Sequence, residues 1–157
     1  MLHSNAVVLD VDNVLLDCLG GFQRVAADIF GRDMPEVNKA YGLGARFGLT
    51  KPEEDMVWRA MEHHDFGWRG FALMPGALEA FTALKDMGHS IHLVTAIPEA
   101  LRELREECLN VRGLRADSMH CAGHMHASKA LIVQEINPVM MVEDRLSHLH
   151  SVPFVPY

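Results

Sequence analysis

No apolar run in the 157-residue sequence approaches the ~20 residues that a bilayer-spanning helix needs. The first residues carry no basic stretch leading into a long apolar one, so a secretory leader is not expected. Cysteine is scarce: Cys18, Cys108 and Cys121 are odd in number and follow no ligand or disulfide spacing, which implies reduced thiols in a cytoplasmic chain. Basic residues are also few, with Lys+Arg at 14 against Asp+Glu at 21 and a net charge of −7. Without a Lys/Arg run, a nucleic-acid polymer is not an expected partner; a small phosphorylated molecule needs only local positive charge or a metal. There is no internal repeat and no low-complexity tract. What is there is ordinary for one globular domain, 49% apolar and 22% charged.

The stretch around which the rest is arranged is Ala6-Val7-Val8-Leu9-Asp10-Val11-Asp12-Asn13. Four apolar residues bounded by polar ones suit a strand buried on both faces, as at the centre of a parallel sheet. Asp10 and Asp12 fall on one side by the period of two, at the strand end where open α/β sheets bind ligands. Neither acid has a basic neighbour in sequence, so a divalent cation is the expected relief of their repulsion. In isolation, a strand end with solvated acids reads the same way.

After it, Gly20-Gly21 is expected to permit unusual backbone conformations. Phe22, Val25, Ala26, Ile29 and Phe30 follow at helical spacing, with Gly31 placed to stop the helix. Residues 32–48 predict a short helix with loops. Thr50, followed by Pro52, Glu53 and Glu54, marks the start of another helix. Residues 18–72 therefore read as a helical insertion between the first strand and the rest of a core made of residues 1–17 and 73–157. Beyond it the pattern predicts a helix over 77–87, a strand over 90–95, a charged helix over 99–109, and a weak strand over 118–121. A short helix over 129–136, a strand over 139–144 and an edge strand over 152–155 complete the chain. Arg102 to Glu107 reads as a solvated helix face with no function. Strand and helix alternating in this rhythm imply an α/β fold, a parallel Rossmann-like sheet between helical layers.

Three strand ends carry polar chemistry: Asp10/Asp12, Thr95 and Glu143/Asp144, with Lys129 just before the last. Together they offer a carboxylate cluster, a hydroxyl donor and one cation, the parts a phosphoryl-transfer site needs. One carboxylate can attack phosphorus while a second passes the proton. His120, Cys121, His124 and His126 superficially suggest zinc, but their spacing matches no closed structural site, and a polar loop is the simpler reading. His124 and His126 are alternative phosphate contacts.

The ordered set Asp10-Val11-Asp12-Asn13-Val14, Thr95, Lys129 and Glu143-Asp144 resembles the four motifs of the haloacid dehalogenase superfamily. That resemblance implies a core of this family's type with residues 18–72 as a small helical cap. It implies Asp10 as nucleophile and Asp12 as general acid/base. It also implies Mg2+ held by Asp10, the Asp12 carbonyl and Asp144 with Glu143 nearby, and phosphate held by Thr95, Lys129 and amides around Asn13 and Ala96. Residues 10–22, 75–80 and 142–145 further resemble the 5'(3')-deoxyribonucleotidases, which take deoxyribonucleoside monophosphates. Cys18 stands where that group tends to carry a base-stacking aromatic, and Glu143 replaces an Asp. The expectation is a magnesium-dependent phosphomonoesterase acting on a nucleotide. Another small phosphate ester, such as a sugar phosphate or phosphoglycolate, and a non-catalytic binding protein are the alternatives.

Overall fold

A computed structural model describes residues 5–124 and 127–156. The chain divides into two compact units, residues 1–16 with 73–157 and residues 17–72.

The first unit is built on four parallel strands: β1 (Ala6–Leu9), β2 (Ser90–Thr95), β3 (Ser118–Cys121) and β4 (Met140–Val142). Their spatial order is β3-β2-β1-β4. β1 is flanked on both edges, Val8 facing His92 on one side and Met141 on the other. All four of its side chains are buried, which explains the uninterrupted apolar run. Alternation then sorts the residues by face. Val8, Val94 and Met141 pack with Val133 of the helix Ala130–Ile136 and with Val152 and Val155 near the end of the chain. On the other face, Leu93 and Met119 line a common cavity with Leu109 and Leu114, from and just after the helix Arg102–Asn110. Helix, sheet and helix form three layers, the Rossmann-like α/β architecture that the sequence implies.

The strand boundaries of β2 and β3 follow the sequence pattern, whereas residues 152–155 do not form a strand. Pro153 cannot donate to a ladder. The segment instead turns, burying Val152 and Val155, and the Pro156 carbonyl accepts from Met141 N of β4 at 3.1 Å. A short helix, Leu146–His150, fills the connection that the sequence pattern left unassigned.

The second unit, residues 17–72, is helical. We number its helices α1 (Cys18–Phe30), α2 (Leu43–Arg46) and α3 (Lys51–Ala60); those of the first unit are α4 (Ala77–Asp86), α5 (Arg102–Asn110), α6 (Ala130–Ile136) and α7 (Leu146–His150). Asp17 caps α1, its Oδ1 accepting from Gly20 N at 2.7 Å, and Gly31 ends it at φ +60°. Gly20 and Gly21 are not conformationally unusual: both lie within α1, with no positive φ. They are small for lack of room. A Cβ at Gly20 would meet the capping Asp17 carboxylate, and one at Gly21 the Phe71 ring. At α3 the Glu53 carboxylate accepts from both Thr50 N and Thr50 Oγ1 at 2.7 Å. The unit has its own aromatic core, with Phe22 against Trp58 at 4.9 Å, Trp58 against Trp68 at 5.8 Å, and Trp68 against Phe71 at 5.5 Å between ring centroids.

Among the described residues, no helix is long and apolar enough to cross a membrane.

Candidate active site

The strand order places a topological switch between β1 and β4: the chain leaves β1 towards β2 on one side and returns from β3 to β4 on the other. Ligand crevices of open parallel sheets form beyond the carboxyl ends of such strands. Asp10 is the first residue after β1, and Glu143 and Asp144 are the first two after β4. Asp10 N donates to the Val142 carbonyl at 2.9 Å, holding the two strand ends in register. Thr95 is the last residue of β2, Ala96 lies half-buried in the bend after it, and Lys129 directly precedes α6. Asn13 sits at φ +60° in a tight loop, with its N donating to the Leu16 carbonyl at 2.7 Å. Asparagine tolerates this left-handed region better than most residues.

Carboxylate oxygens of Asp10, Glu143 and Asp144 come within 4.8 Å of one another. Lys129 Nζ lies 2.7 Å from Asp10 Oδ1 and 2.7 Å from Glu143 Oε2. Its side chain is 1% exposed. Glu143 accepts further from Arg145 N at 3.2 Å, and Asp144 accepts from Asn13 Nδ2 at 3.3 Å; His148 Nδ1 lies 3.3 Å from Glu143 Oε2 without a hydrogen bond to it. The Thr95 hydroxyl, wholly buried, has no hydrogen-bond partner among the described residues.

The electrostatics follow from placing buried Asp10, half-buried Glu143 and exposed Asp144 around one buried ammonium. Burial pushes the Asp10 carboxyl up to about 7, helped by the charges of Glu143 and Asp12 and opposed by Lys129. Glu143 is raised mainly by burial against the pull of Lys129. Asp144 is raised by its surroundings and by the Asp10 charge. Burial works against the Lys129 ammonium, yet Asp10 and Glu143 together hold its pKa above the usual lysine value. Hard oxygen donors in excess of the nearby positive charge are what a divalent cation such as magnesium requires, so Asp10, Glu143 and Asp144 fit one. An ion there would reverse the upward shifts. The buried, unsatisfied Thr95 hydroxyl is the complementary feature, a donor still lacking an acceptor.

Asp12 is not part of this carboxylate cluster. Neither acid has a basic neighbour in sequence, but the fold brings one to each: Asp10 is paired with Lys129, and Asp12 Oδ1 accepts from Arg105 Nη2 at 2.7 Å. Arg105 is 2% exposed, so the Arg102–Glu107 segment is not wholly a solvated face. The signal was present in the spacing: Leu101, Arg105, Cys108 and Leu109 occupy one helical stripe, and the structure buries the arginine with its two apolar successors. His148, buried beside Glu143, is the other neighbour that the motifs did not point to.

The histidine-rich segment does not form a metal group among the described residues. His120 Nε2 lies 2.8 Å from Ser118 Oγ, and Ser118 Oγ lies 2.7 Å from His92 Nδ1 on the next strand. His126 is outside the described residues.

No protein-family model matches the chain, and no curated protein matches it. Solved structures do. A haloacid dehalogenase-like family hydrolase from Streptococcus pneumoniae superposes with a TM-score of 0.64 at 13% identity, over 99% of this chain and 82% of that one. A predicted phosphoglycolate phosphatase from Haemophilus somnus gives 0.65 at 16% identity, over 98% and 84%. A haloacid dehalogenase family hydrolase from Deinococcus radiodurans, with bound phosphate and sodium, gives 0.60 at 16% identity, over 94% and 77%. The chain has the fold of these hydrolases.

Proposed function

We propose that the protein is a magnesium-dependent phosphomonoesterase working through an aspartyl-phosphate on Asp10. The observation that carries this reading is the cluster at the β1/β4 switch, where buried Asp10 and Lys129 meet Glu143 and the exposed Asp144, with the Thr95 hydroxyl, buried and without a partner among the described residues, on the neighbouring strand end. Asp10, Glu143 and Asp144 would hold the metal, with the Asp12 carbonyl expected as a further ligand. Bound there, magnesium would neutralise phosphate charge and favour the ionised form of Asp10.

The chain's own residues then divide the work. Lys129 and Thr95, with the amides around Asn13 and Ala96, bind the phosphoryl oxygens. An Asp10 carboxylate oxygen forms a bond to phosphorus as the bond from phosphorus to the ester oxygen breaks. Asp12 gives that leaving oxygen its proton. In the second half, a water oxygen bonds to phosphorus and the Asp10–phosphorus bond breaks. The water proton passes to Asp12, which restores the starting state. In this reading the helical unit of residues 17–72 takes the role of a cap.

For the substrate we propose a deoxyribonucleoside monophosphate, supported by the likeness of residues 10–22, 75–80 and 142–145 to the deoxyribonucleotidases. Phosphoglycolate or a sugar phosphate is the second reading, favoured by the similarity to the predicted phosphoglycolate phosphatase from Haemophilus somnus. Phosphate release from a panel of all three classes, with Mg2+ and with chelator, tests both. Magnesium-dependent release with a nucleotide preferred supports the proposal, and preference for another class moves the substrate. No release from folded, magnesium-binding protein would replace the enzyme by a binding protein.

A further inference from the structure

We infer that Arg105 is a positioning residue for Asp12; the inference rests on the reading of Asp12 as the acid that protonates the leaving oxygen. The two residues are 93 positions apart, and their contact, Nη2 to Oδ1 at 2.7 Å, joins α5 to the loop after β1. Their surroundings differ. The Arg105 side chain is 2% exposed and carried on a helix, whereas that of Asp12 is 27% exposed and carried on a loop. A loop carboxylate with access to water has several rotamers open to it, and a buried guanidinium at hydrogen-bond distance selects among them. The contact engages one carboxylate oxygen, Oδ1, and so fixes the plane and direction in which Asp12 is held.

Burying a guanidinium is costly, and an ion pair of this kind adds little net stability over apolar packing. An apolar residue at position 105 would complete the stripe formed by Leu101, Cys108 and Leu109 and would serve α5 better. Arginine at this position therefore makes most sense through what it does to Asp12. Lys129, the other buried cation of the site, faces Asp10 and Glu143, so the two acids of the Asp10-Val11-Asp12 sequence are held by separate cations from separate helical segments. One pair concerns the attacking group, and the other the proton.

A leaving group that needs no proton gives the test. Departure of an alkoxide, as from a nucleoside monophosphate or glycerol phosphate, depends on general acid catalysis worth ~10²–10⁴-fold. Departure of p-nitrophenolate does not. We would measure kcat/KM, which covers the steps through departure of the leaving group, for an alkyl phosphate and for p-nitrophenyl phosphate. The proteins are the wild type, Arg105→Met, Arg105→Lys and Asp12→Asn. Both rates come from one sample, so any loss of folded protein cancels in their ratio. Arg105→Met should lower the alkyl-to-aryl ratio by about tenfold or more, in the direction set by Asp12→Asn. Arg105→Lys should fall between Arg105→Met and wild type, and it carries the test alone if the methionine variant does not fold. Equal loss on both substrates in the Arg105 variants, while Asp12→Asn shifts the ratio, would make Arg105 structural and overturn the inference. An unshifted ratio in Asp12→Asn would remove the acid role itself, and the inference with it.

Discussion

Lys129 Nζ and Asp10 Oδ1 are 2.7 Å apart, with both side chains almost fully withdrawn from water. The lysine makes a second contact of the same length to Glu143. One ammonium is thus the cation shared by the acid proposed to attack phosphorus and by an acid proposed to hold the metal. Replacing Lys129 by methionine keeps the length of the side chain and removes the charge. Breaking a buried pair by removing one partner costs about 3–5 kcal/mol. Lys129→Met should therefore unfold at lower denaturant near neutral pH, regain part of the loss with Mg2+, and lose about 10²-fold or more in turnover. Wild-type stability in the metal-free variant would contradict this account of the charge balance.

Asp10 also gives the metal-free protein a signed pH dependence. Its carboxyl titrates at about 7 in the folded chain against an ordinary value of 3.8, burial being the main cause. The native state therefore keeps a proton that the unfolded chain gives up. The Asp10 contribution is most favourable below the unfolded value, declines as pH rises from about 4 to about 7, and then levels. Glu143 and Asp144, also raised, act in the same direction. His148 and His120, lowered chiefly by burial, oppose them, because a histidine kept neutral by the fold adds stability as pH rises through its ordinary range. Comparing wild type with Asp10→Asn largely cancels the other groups. In chelator, the variant's stability advantage should grow by about 2–4 kcal/mol between pH 4 and pH 7.5, measured by urea unfolding. Parallel curves would contradict it. Mg2+ should narrow the gap by binding the ionised wild-type site.

Thr95 separates function from stability. Its buried hydroxyl lacks a partner among the described residues, and such a group costs ~1–3 kcal/mol. Thr95→Val replaces the hydroxyl by a methyl of similar volume and retains β-branching on a strand. We expect the melting temperature to stay level or rise while KM for the phosphate ester rises about tenfold, the worth of roughly one hydrogen bond to a charged group. A clear loss of stability would mean that the hydroxyl serves the fold.

How much of this was legible in the sequence depended on what each residue answers to. β1, β2 and β3 could be read because their positions within one sheet impose apolar runs and alternation that local inspection detects. Helices α1 and α3 were legible through their ends, Gly31 on one and Thr50 with Glu53 on the other. Residues 152–155 looked like a strand because Val152 and Val155 are apolar and buried, but burial alone does not make a ladder, and Pro153 and the turn decided otherwise. Gly20 and Gly21 suggested backbone freedom because the sequence cannot show the Asp17 carboxylate and Phe71 ring that crowd them. Asp10, Lys129, Glu143 and Asp144 meet because strand ends converge at the switch point, which the order of motifs implies. Arg105 was missed for the opposite reason. Its partner is 93 residues away, and only the stripe it interrupts on α5 marks it.

The central claim is that Asp10 carries the phosphoryl group. We would mix wild type and Asp10→Asn with an alkyl monophosphate and Mg2+, quench within a single turnover, and reduce with borohydride, which converts an acyl phosphate of aspartate to homoserine. Peptide mass spectrometry then locates the product. Homoserine at position 10 in the wild type, and none anywhere in Asp10→Asn, is the predicted result. Undiminished phosphate release by Asp10→Asn, or homoserine at another aspartate in the wild type, would contradict it.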